Sequence, residues 1–164
     1  KLFSDMVVEF GMSPTQNSTS VYGSNREITS ILGNLTGEVT LTVQSLDEEV
    51  QAEVMGKVKA EGGGYLDKGL DKPYVALMAE KSLDGGEYEY LTLYKGKFDL
   101  AEEKAKTKED QAEAQAQSYT ARFIQLKDKT FKHAVRTTSM EEDEKTAFME
   151  KWGKQVIKPA VAQE

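Results

Sequence analysis

Residues 72–127 read KPYVALMAEKSLDGGEYEYLTLYKGKFDLAEEKAKTKEDQAEAQAQSYTARFIQLK, and this stretch decides the fold. It predicts a strand at 74–80, a turn at 84–86, a long strand at 88–100 and, after a charged segment, a strand at 119–127. The stretch contains no pattern suited to bond chemistry. It therefore indicates a protein that works through the shape of its sheets and through self-association.

The predicted long strand at 88–100 has two unusual faces, because side chains alternate between faces with a period of two. The first face carries Tyr88, Tyr90, Thr92, Tyr94 and Phe98, and the second carries Glu89, Leu91, Leu93, Lys95 and Lys97. Two interpretations remain open. The strand is either central in a sandwich and covered on both sides, or it faces its own core on one side and a neighbouring subunit on the other. In the second case the candidate interface residues are Leu91, Leu93, Lys95 and Lys97.

The bulk composition narrows the class of protein. The 164 residues, treated as one domain at 1–164, are enough to bury a core, and the absence of cysteine excludes a disulfide scaffold and a thiolate site. A net charge of −7 argues against binding nucleic acid by neutralising phosphates, which needs Lys and Arg. No apolar run approaches the roughly 18 residues of a membrane helix, so we expect no membrane partner.

The N-terminal third predicts a loop, a strand and a helix. Residues 11–25 are rich in Ser, Thr, Asn, Gly and Pro and have no period, which predicts a long loop. Residues 35–44 alternate apolar with polar over ten positions and predict a half-buried strand. Ser45 and Glu48 match a capping box. Apolar residues then recur at every fourth position from Leu46, which predicts an amphipathic helix on the sheet.

The last third predicts a charged arm, a hairpin and a short helix. Composition favours a helix at 101–117, but its position between two strands favours an extended arm, which we adopt as the prediction. A strand at 131–137 pairs back on the strand before it, and Ser139 with Glu142 forms a second capping box ahead of a helix of about ten residues ending near Trp152. The tail at 153–164 is short and apolar enough to dock on the body or on a neighbour.

Enzyme chemistry finds little support in the sequence. His133 is the only histidine and has no nucleophile pattern beside it. The acidic run at 141–144 lacks the spacing of a calcium loop and is better explained as the solvated start of a helix. We therefore predict no catalytic, cofactor-binding or metal-binding residues and no cofactor.

A resemblance rests on several short motifs. PYVAL at 73–77, YKGKF at 94–98 and KTK at 106–108 carry it best, with GNLTGEVTLTV at 33–43 in support. Across about residues 34–137, the chain resembles the major tail proteins, or tail-tube proteins, of long-tailed phages and prophages of Gram-positive bacteria.

The resemblance implies a mainly β fold, namely a β-sandwich or incomplete barrel with one flanking α-helix and a short C-terminal helix. It implies a structural virion protein without enzyme activity, assembled in the host cytoplasm into stacked hexameric rings. The implied partners are further copies, the tape-measure, tail-terminator and baseplate proteins, and DNA that passes through the lumen without specific binding. An extended arm would add the interface candidates Glu102, Lys104, Lys106 and Lys108.

One alternative from another class stays open, a monomeric β-sandwich module that recognises a carbohydrate or a protein. A tube subunit needs both faces of the 88–100 strand and the arm to meet other copies, whereas a binding module needs one concave exposed site. For the tube, we hypothesise that part of the negative charge faces the lumen and repels phosphates.

Overall fold

A computed structural model describes residues 7–23, 26–44, 46–69, 71–99 and 116–160, without the side chain of Glu27. The strands are β1 (Val7–Gly23), β2 (Arg26–Val43), β3 (Val58–Lys59), β4 (Tyr65–Leu66), β5 (Val75–Ser82), β6 (Tyr88–Phe98), β7 (Gln117–Ile124) and β8 (Lys132–Arg136), and the helices are α1 (Glu48–Met55) and α2 (Glu142–Lys151). The predicted mainly β fold is confirmed. Its main sheet is open rather than closed into a barrel, consistent with a sandwich-like fold.

The first two strands form one long antiparallel hairpin, and this corrects the loop predicted at 11–25. β1 pairs with β2 from Val7 opposite Val43 to Gly23 opposite Arg26. Pairing along the whole of β2 supplies backbone hydrogen bonds that outweigh the turn-forming composition of β1. A bulge interrupts the hairpin, where Asn17 of β1 stands opposite Gly33 and Asn34 of β2.

The main sheet runs in the order β1-β2-β7-β6-β5, and β8 pairs with β6 off this path. β5 takes one edge of β6 along most of its length, so β7 and β8 must share the other edge. β7 pairs with Gly96–Phe98, and β8 pairs with 89–93. The sheet therefore divides along β6 into two parts.

A bulge in β6 changes which side chains share a face. Val75 stands opposite Gly96 and Leu77 opposite Leu93, so β6 holds one more residue than β5 across this interval. The extra residue reverses the alternation, and Phe98 joins Leu93 in the same buried cluster. The prediction that these two side chains lie on opposite faces was wrong, because strict alternation holds only where the ladder is regular.

The core lies between α1 and one face of the sheet. Its buried residues are Val39, Leu41, Val43, Val54, Met55, Leu93, Phe98, Tyr119, Ala121, Phe123 and Phe131. Two glycines leave room for rings in this core. A Cβ on Gly96 would lie 2.5 Å from Cδ1 of Phe123, and one on Gly37 would lie 2.7 Å from Cζ of Phe131. Because Gly37, Phe123 and Gly96 are neighbours in register, one row of the sheet is closed by aromatic rings instead of its own side chains.

The flanking helix α1 is confirmed, but its cap differs from the prediction. The Asp47 carboxylate accepts hydrogen bonds from the backbone amides of Glu49 at 2.8 Å and Val50 at 3.4 Å, so Asp47 is the N-cap. Ser45, the predicted cap, lies outside the described residues. Gly56 ends the helix with a positive φ of 68°, which glycine adopts without strain.

The C-terminal helix α2 is also confirmed, without the predicted capping box. Ser139 donates its hydroxyl hydrogen to the Arg136 carbonyl and lies in a short 3₁₀ turn, Thr137–Ser139. The residue before α2 is Glu141, whose side chain makes no capping hydrogen bond. α2 packs on the face of β6 opposite the main core, where Phe148 and Trp152 meet Tyr90 with ring centroids 5.4 and 4.8 Å away.

Candidate self-association surfaces

The outer half of the long hairpin is the most exposed apolar part of the described chain. β7 accompanies β2 only from Val43 to Thr36, so beyond the bulge the hairpin continues as two strands alone. We call residues 18–23 and 26–32 the distal ribbon. Its large apolar side chains are 38–70% exposed: Val21, Tyr22, Ile28, Ile31 and Leu32.

Both faces of the distal ribbon carry apolar groups. Ile31 stands opposite Thr19, while Leu32, opposite Ser18, points to the other face because neighbouring strand residues alternate. An isolated two-stranded ribbon is marginally stable in water. A ribbon that is apolar on both faces is therefore suited to being enclosed by other molecules.

Sequence reasoning missed the distal ribbon as a surface because it treated residues 11–25 as a loop. One signal was available. Residues 18–22 read STSVY and residues 26–32 read REITSIL, and both are rich in the β-branched and aromatic residues that strands favour. The Gly-Ser-Asn at 23–25 between them is typical of a hairpin connection.

The main sheet ends in two different strands within the described residues. β1 forms one edge along Val7–Gly23 and β5 forms the other along Val75–Ser82. Exposed edges present unpaired backbone groups that can pair with another chain. The first five residues of β5, Val75 to Ala79, are uncharged, so no charge on them opposes strand addition.

Two predicted interface lysines gather around one aromatic ring beside the β5 edge. The Nζ atoms of Lys95 and Lys97 lie 4.4 and 4.5 Å from the ring centroid of Tyr74. Lys97 also donates a 2.6 Å hydrogen bond to Asp71, and this bond lowers the pKa of the Asp71 carboxyl. Tyr74 stays 56% exposed, so the cluster presents a ring and two partly compensated cations to solvent.

The other predicted interface residues are placed differently. Leu93 is 0% exposed and belongs to the core of the single chain, and its place in a subunit interface stays a prediction. Leu91 is half-buried opposite Ala79 of β5. Four further candidates, Glu102, Lys104, Lys106 and Lys108, lie outside the described residues, as does most of the arm at 101–117.

The C-terminal tail contacts the body through its described part. The Tyr94 hydroxyl donates a 3.0 Å hydrogen bond to the Ile157 carbonyl. Lys158 pairs with Asp128 in the turn between β7 and β8, and this hydrogen bond lowers the Asp128 pKa to about 2. The sequence predicted that the tail docks either on its own body or on a neighbour. Its described residues, which end at 160, dock on the body.

The described residues offer no arrangement for catalysis or metal binding. His133 is half-buried on β8 opposite Thr92, and burial lowers its pKa. Within the described ranges no three His, Asp or Glu side chains converge in a way that could hold a metal ion. No helix in these same ranges is both long and apolar enough to cross a bilayer.

One open cavity of about 380 Å³ lies where the hairpin leaves the body. It is lined by Asn34, Thr36, Ile124, Gln125, Leu126, Lys127 and Lys129. No aromatic ring lines it, although rings are the usual platform for stacking ligands. This cavity gives the alternative of a carbohydrate-binding module no support.

Comparison with known proteins agrees with the exposed strand surfaces. Residues 14–159 match the family described as phage tail tube protein, which is 146 of the 164 positions. The chain belongs to the phage tail tube protein family. This tail tube protein is accordingly a structural component of the virion tail and not an enzyme. A search among curated proteins gave no match.

Membership changes how the surfaces of this tail tube protein are understood. A tail tube is an oligomeric assembly made with other phage proteins, so its subunits must offer surfaces to further copies. The distal ribbon, which lies wholly within the matched range, and the edges at β1 and β5 are surfaces of that kind.

Proposed function

We propose that this chain assembles into six-membered rings that stack into a hollow tube conducting DNA. The distal ribbon carries the proposal, because it exposes large apolar side chains on both faces. Enclosing each of these partly exposed side chains would contribute on the order of 1 kcal/mol. The number six and the passage of DNA follow from the resemblance to tail proteins of Gram-positive phages and prophages.

The edges at β1 and β5 support ring formation. β1 and β5 are different strands at opposite ends of one open sheet. If the β1 edge of one copy meets the β5 edge of the next, the contact is heterologous, and heterologous contacts generate rings when the rotation closes. The Tyr74–Lys95–Lys97 cluster and Leu91 lie beside the β5 edge and would contribute to this contact.

The proposed partners follow from a tube that grows in the host cytoplasm. A tube of fixed length needs a tape-measure protein inside it during growth, a terminator at one end and a baseplate at the other. The arm residues Glu102, Lys104, Lys106 and Lys108 remain proposed contacts between copies.

Electron microscopy of the purified chain tests the proposal. We expect rings or tubes from the unaltered chain and their loss in Ile31→Asp, because a carboxylate at a 60% exposed apolar position of the ribbon resists burial between copies. Met149→Asp is the matched control, since Met149 is 43% exposed on α2 and outside the ribbon. If the unaltered chain stayed monomeric at every protein concentration tested, the proposal would be contradicted.

A further inference from the structure

We propose that Gln125 is a positioning residue for self-assembly: its side-chain amide holds the base of the long hairpin and sets the direction in which the distal ribbon leaves the body. This inference rests on the proposed assembly through the distal ribbon. It concerns a residue outside the ribbon, which acts through the strand that it holds.

The body of the subunit holds β2 as far as Leu35. The ladder between β2 and β7 ends with Thr36 opposite Ile124. One residue further along, the half-buried Leu35 still packs its side chain against the core. The backbone N–H of Leu35 donates a 2.9 Å hydrogen bond to Oε1 of Gln125. The bulge of the hairpin follows at once, so the distal ribbon begins directly beyond the Gln125 contact.

The bulge cannot by itself give the distal ribbon a single direction. A bulge leaves a residue unpaired and bends its strand locally, and β7 no longer accompanies the hairpin there. The side chain of Gln16 donates a 3.0 Å hydrogen bond to the Gly33 carbonyl, but this bond joins the two strands of the hairpin to each other. The open cavity of about 380 Å³ at the same place leaves room for movement. The direction of the ribbon relative to the body therefore depends on the contact at Leu35.

The amide group of Gln125 is held at both of its ends. While Oε1 accepts the hydrogen bond from Leu35, Nε2 donates a 2.8 Å hydrogen bond to the Lys129 carbonyl. The turn that carries Lys129 is closed by a 2.8 Å backbone hydrogen bond from Leu126 to Thr130. Gln125 thus forms a short connection between β2 and a hydrogen-bonded turn of the body.

A small change of angle at the base of the hairpin has a large effect at its tip. At about 3.3 Å per residue, the strand at 26–32 places the tip roughly 20 Å beyond the bulge, so a rotation of about 20° would move the tip by about 7 Å. The core of a protein–protein interface is packed as closely as a protein interior. A ribbon held in its binding direction before contact also loses less conformational freedom when a copy joins.

Matched substitutions separate this role from a general effect on stability. Gln125→Met keeps the length of the side chain but removes the hydrogen bonds to Leu35 and Lys129. Gln125→Glu keeps an oxygen that accepts from Leu35 but, when ionised, has no hydrogen to donate to Lys129. Gln125→Asn is one methylene too short to reach both groups. Gln117→Met is the control, since Gln117 accepts a 2.6 Å hydrogen bond from the Tyr119 hydroxyl at the other end of β7.

Distances within the unassembled chain measure the direction of the ribbon independently of tubes. The chain has no cysteine, so nitroxide labels can be attached at Thr29→Cys in the ribbon and at Glu150→Cys on α2, both at exposed positions. Pulsed electron paramagnetic resonance gives the distribution of distances between the two labels. Light scattering follows tube growth of the unlabelled variants, and thermal unfolding gives the midpoint of each.

We expect Gln125→Met and Gln125→Asn to broaden the distance distribution and to slow tube growth about fivefold to tenfold, in line with the loss of one hydrogen bond. Gln125→Glu and Gln117→Met should keep the distribution and the growth rate of the unaltered chain, even where they lower the unfolding midpoint. An unchanged distribution in Gln125→Met would overturn the positioning role. Equal broadening in Gln125→Glu or in Gln117→Met would overturn it as well.

The two measurements also separate this inference from the proposed function. A broadened distribution in Gln125→Met without slower growth would overturn the role of Gln125 in assembly while leaving the tube intact. Failure of the unaltered chain to form tubes would overturn the proposed function itself. The label distances would then still decide whether Gln125 sets the direction of the ribbon in the single chain.

Discussion

The inner and outer halves of β2 lie in the same strand but in different surroundings. From Thr36 to Val43 the strand is paired on both edges, by β1 and by β7, and its alternate side chains fill the core. From Arg26 to Leu32 it is paired only by β1, and its apolar side chains face solvent. The inner half of β2 finds its pairing strands and packing partners within the chain, whereas the apolar side chains of the outer half can be covered only by other molecules. The difference separates the residues that fold the subunit from those that assemble it.

Hydrogen exchange should show the largest difference between the two halves. In the unassembled chain, backbone amides at 26–32 open locally, whereas those at 39–43 open only with the whole domain, so we expect rates to differ by about a thousandfold or more. Mass spectrometry of overlapping peptides measures this. In tubes the amides of the ribbon should gain protection. Equal protection of both halves of β2 in the monomer would contradict the division into a folding half and an assembly half.

Removing a core ring should affect folding and not only assembly. Phe123 is fully buried between Gly37 and Gly96 in the sheet. We expect Phe123→Ala to lower the free energy of unfolding by about 3–5 kcal/mol, since it leaves a cavity over Gly96, which has no side chain to fill it. Urea unfolding followed by Trp152 fluorescence measures the loss. Ile31→Ala in the ribbon is the matched control, with an expected change within about 0.5 kcal/mol.

Adding a methyl group under the ring should destabilise the body by a smaller amount. Gly96→Ala places a Cβ 2.5 Å from the Phe123 ring, and we expect a loss of about 1–3 kcal/mol from overpacking. Gly11→Ala, also in a strand, is the control, because its nearest neighbour would be 3.9 Å away. If thermal unfolding showed the same midpoint for both variants, the packing of the Phe123 ring over Gly96 would not contribute to stability as expected.

The docked tail should give the smallest effect on global stability, because the Lys158–Asp128 pair is exposed. We expect Asp128→Asn to speed tryptic cleavage after Lys154 and Lys158 and to leave the midpoint of global unfolding nearly unchanged. The folded pKa of Asp128 is lowered to about 2 from an ordinary 3.8. The contribution is therefore present above the ordinary value and is lost as pH falls through about 2.

Asp143→Asn serves as the control for tail release, since it removes a carboxylate from the exposed start of α2. It should leave the cleavage rate unchanged. A tail that is cut equally fast in both variants would mean that the Lys158 pair does not hold it.

Sequence patterns predicted the regular elements of the body well. The strands at 35–44, 88–100 and 119–127 and both helices exist, because their alternation or four-residue repeat reports directly on burial. The pattern failed where pairing, not burial, decides the structure. Pro14 and Asn17 suggest a loop, yet β1 is held in the sheet by its partner β2.

Register irregularities explain why the candidate interface was only partly predictable. One extra residue in β6 near Tyr94 and Lys95 reverses the faces on either side of it. Leu93 therefore packs with Phe98 in the core, while Lys95 and Lys97 gather on Tyr74. No residue type marks such a bulge in a single sequence. The distal ribbon was equally hidden, because its role depends on β7 ending at Ile124 and not on the composition of the ribbon.

The unsupported outer half of the hairpin also bears on how a polymer of this protein begins. Two free copies that meet must each order a ribbon for a small contact, whereas a copy that joins an existing ring finds several surfaces already in place. Early encounters are then short-lived and later additions are not. Growth would start with a delay that short tube fragments abolish, so the host cell could hold a pool of separate subunits until an initiating complex is present.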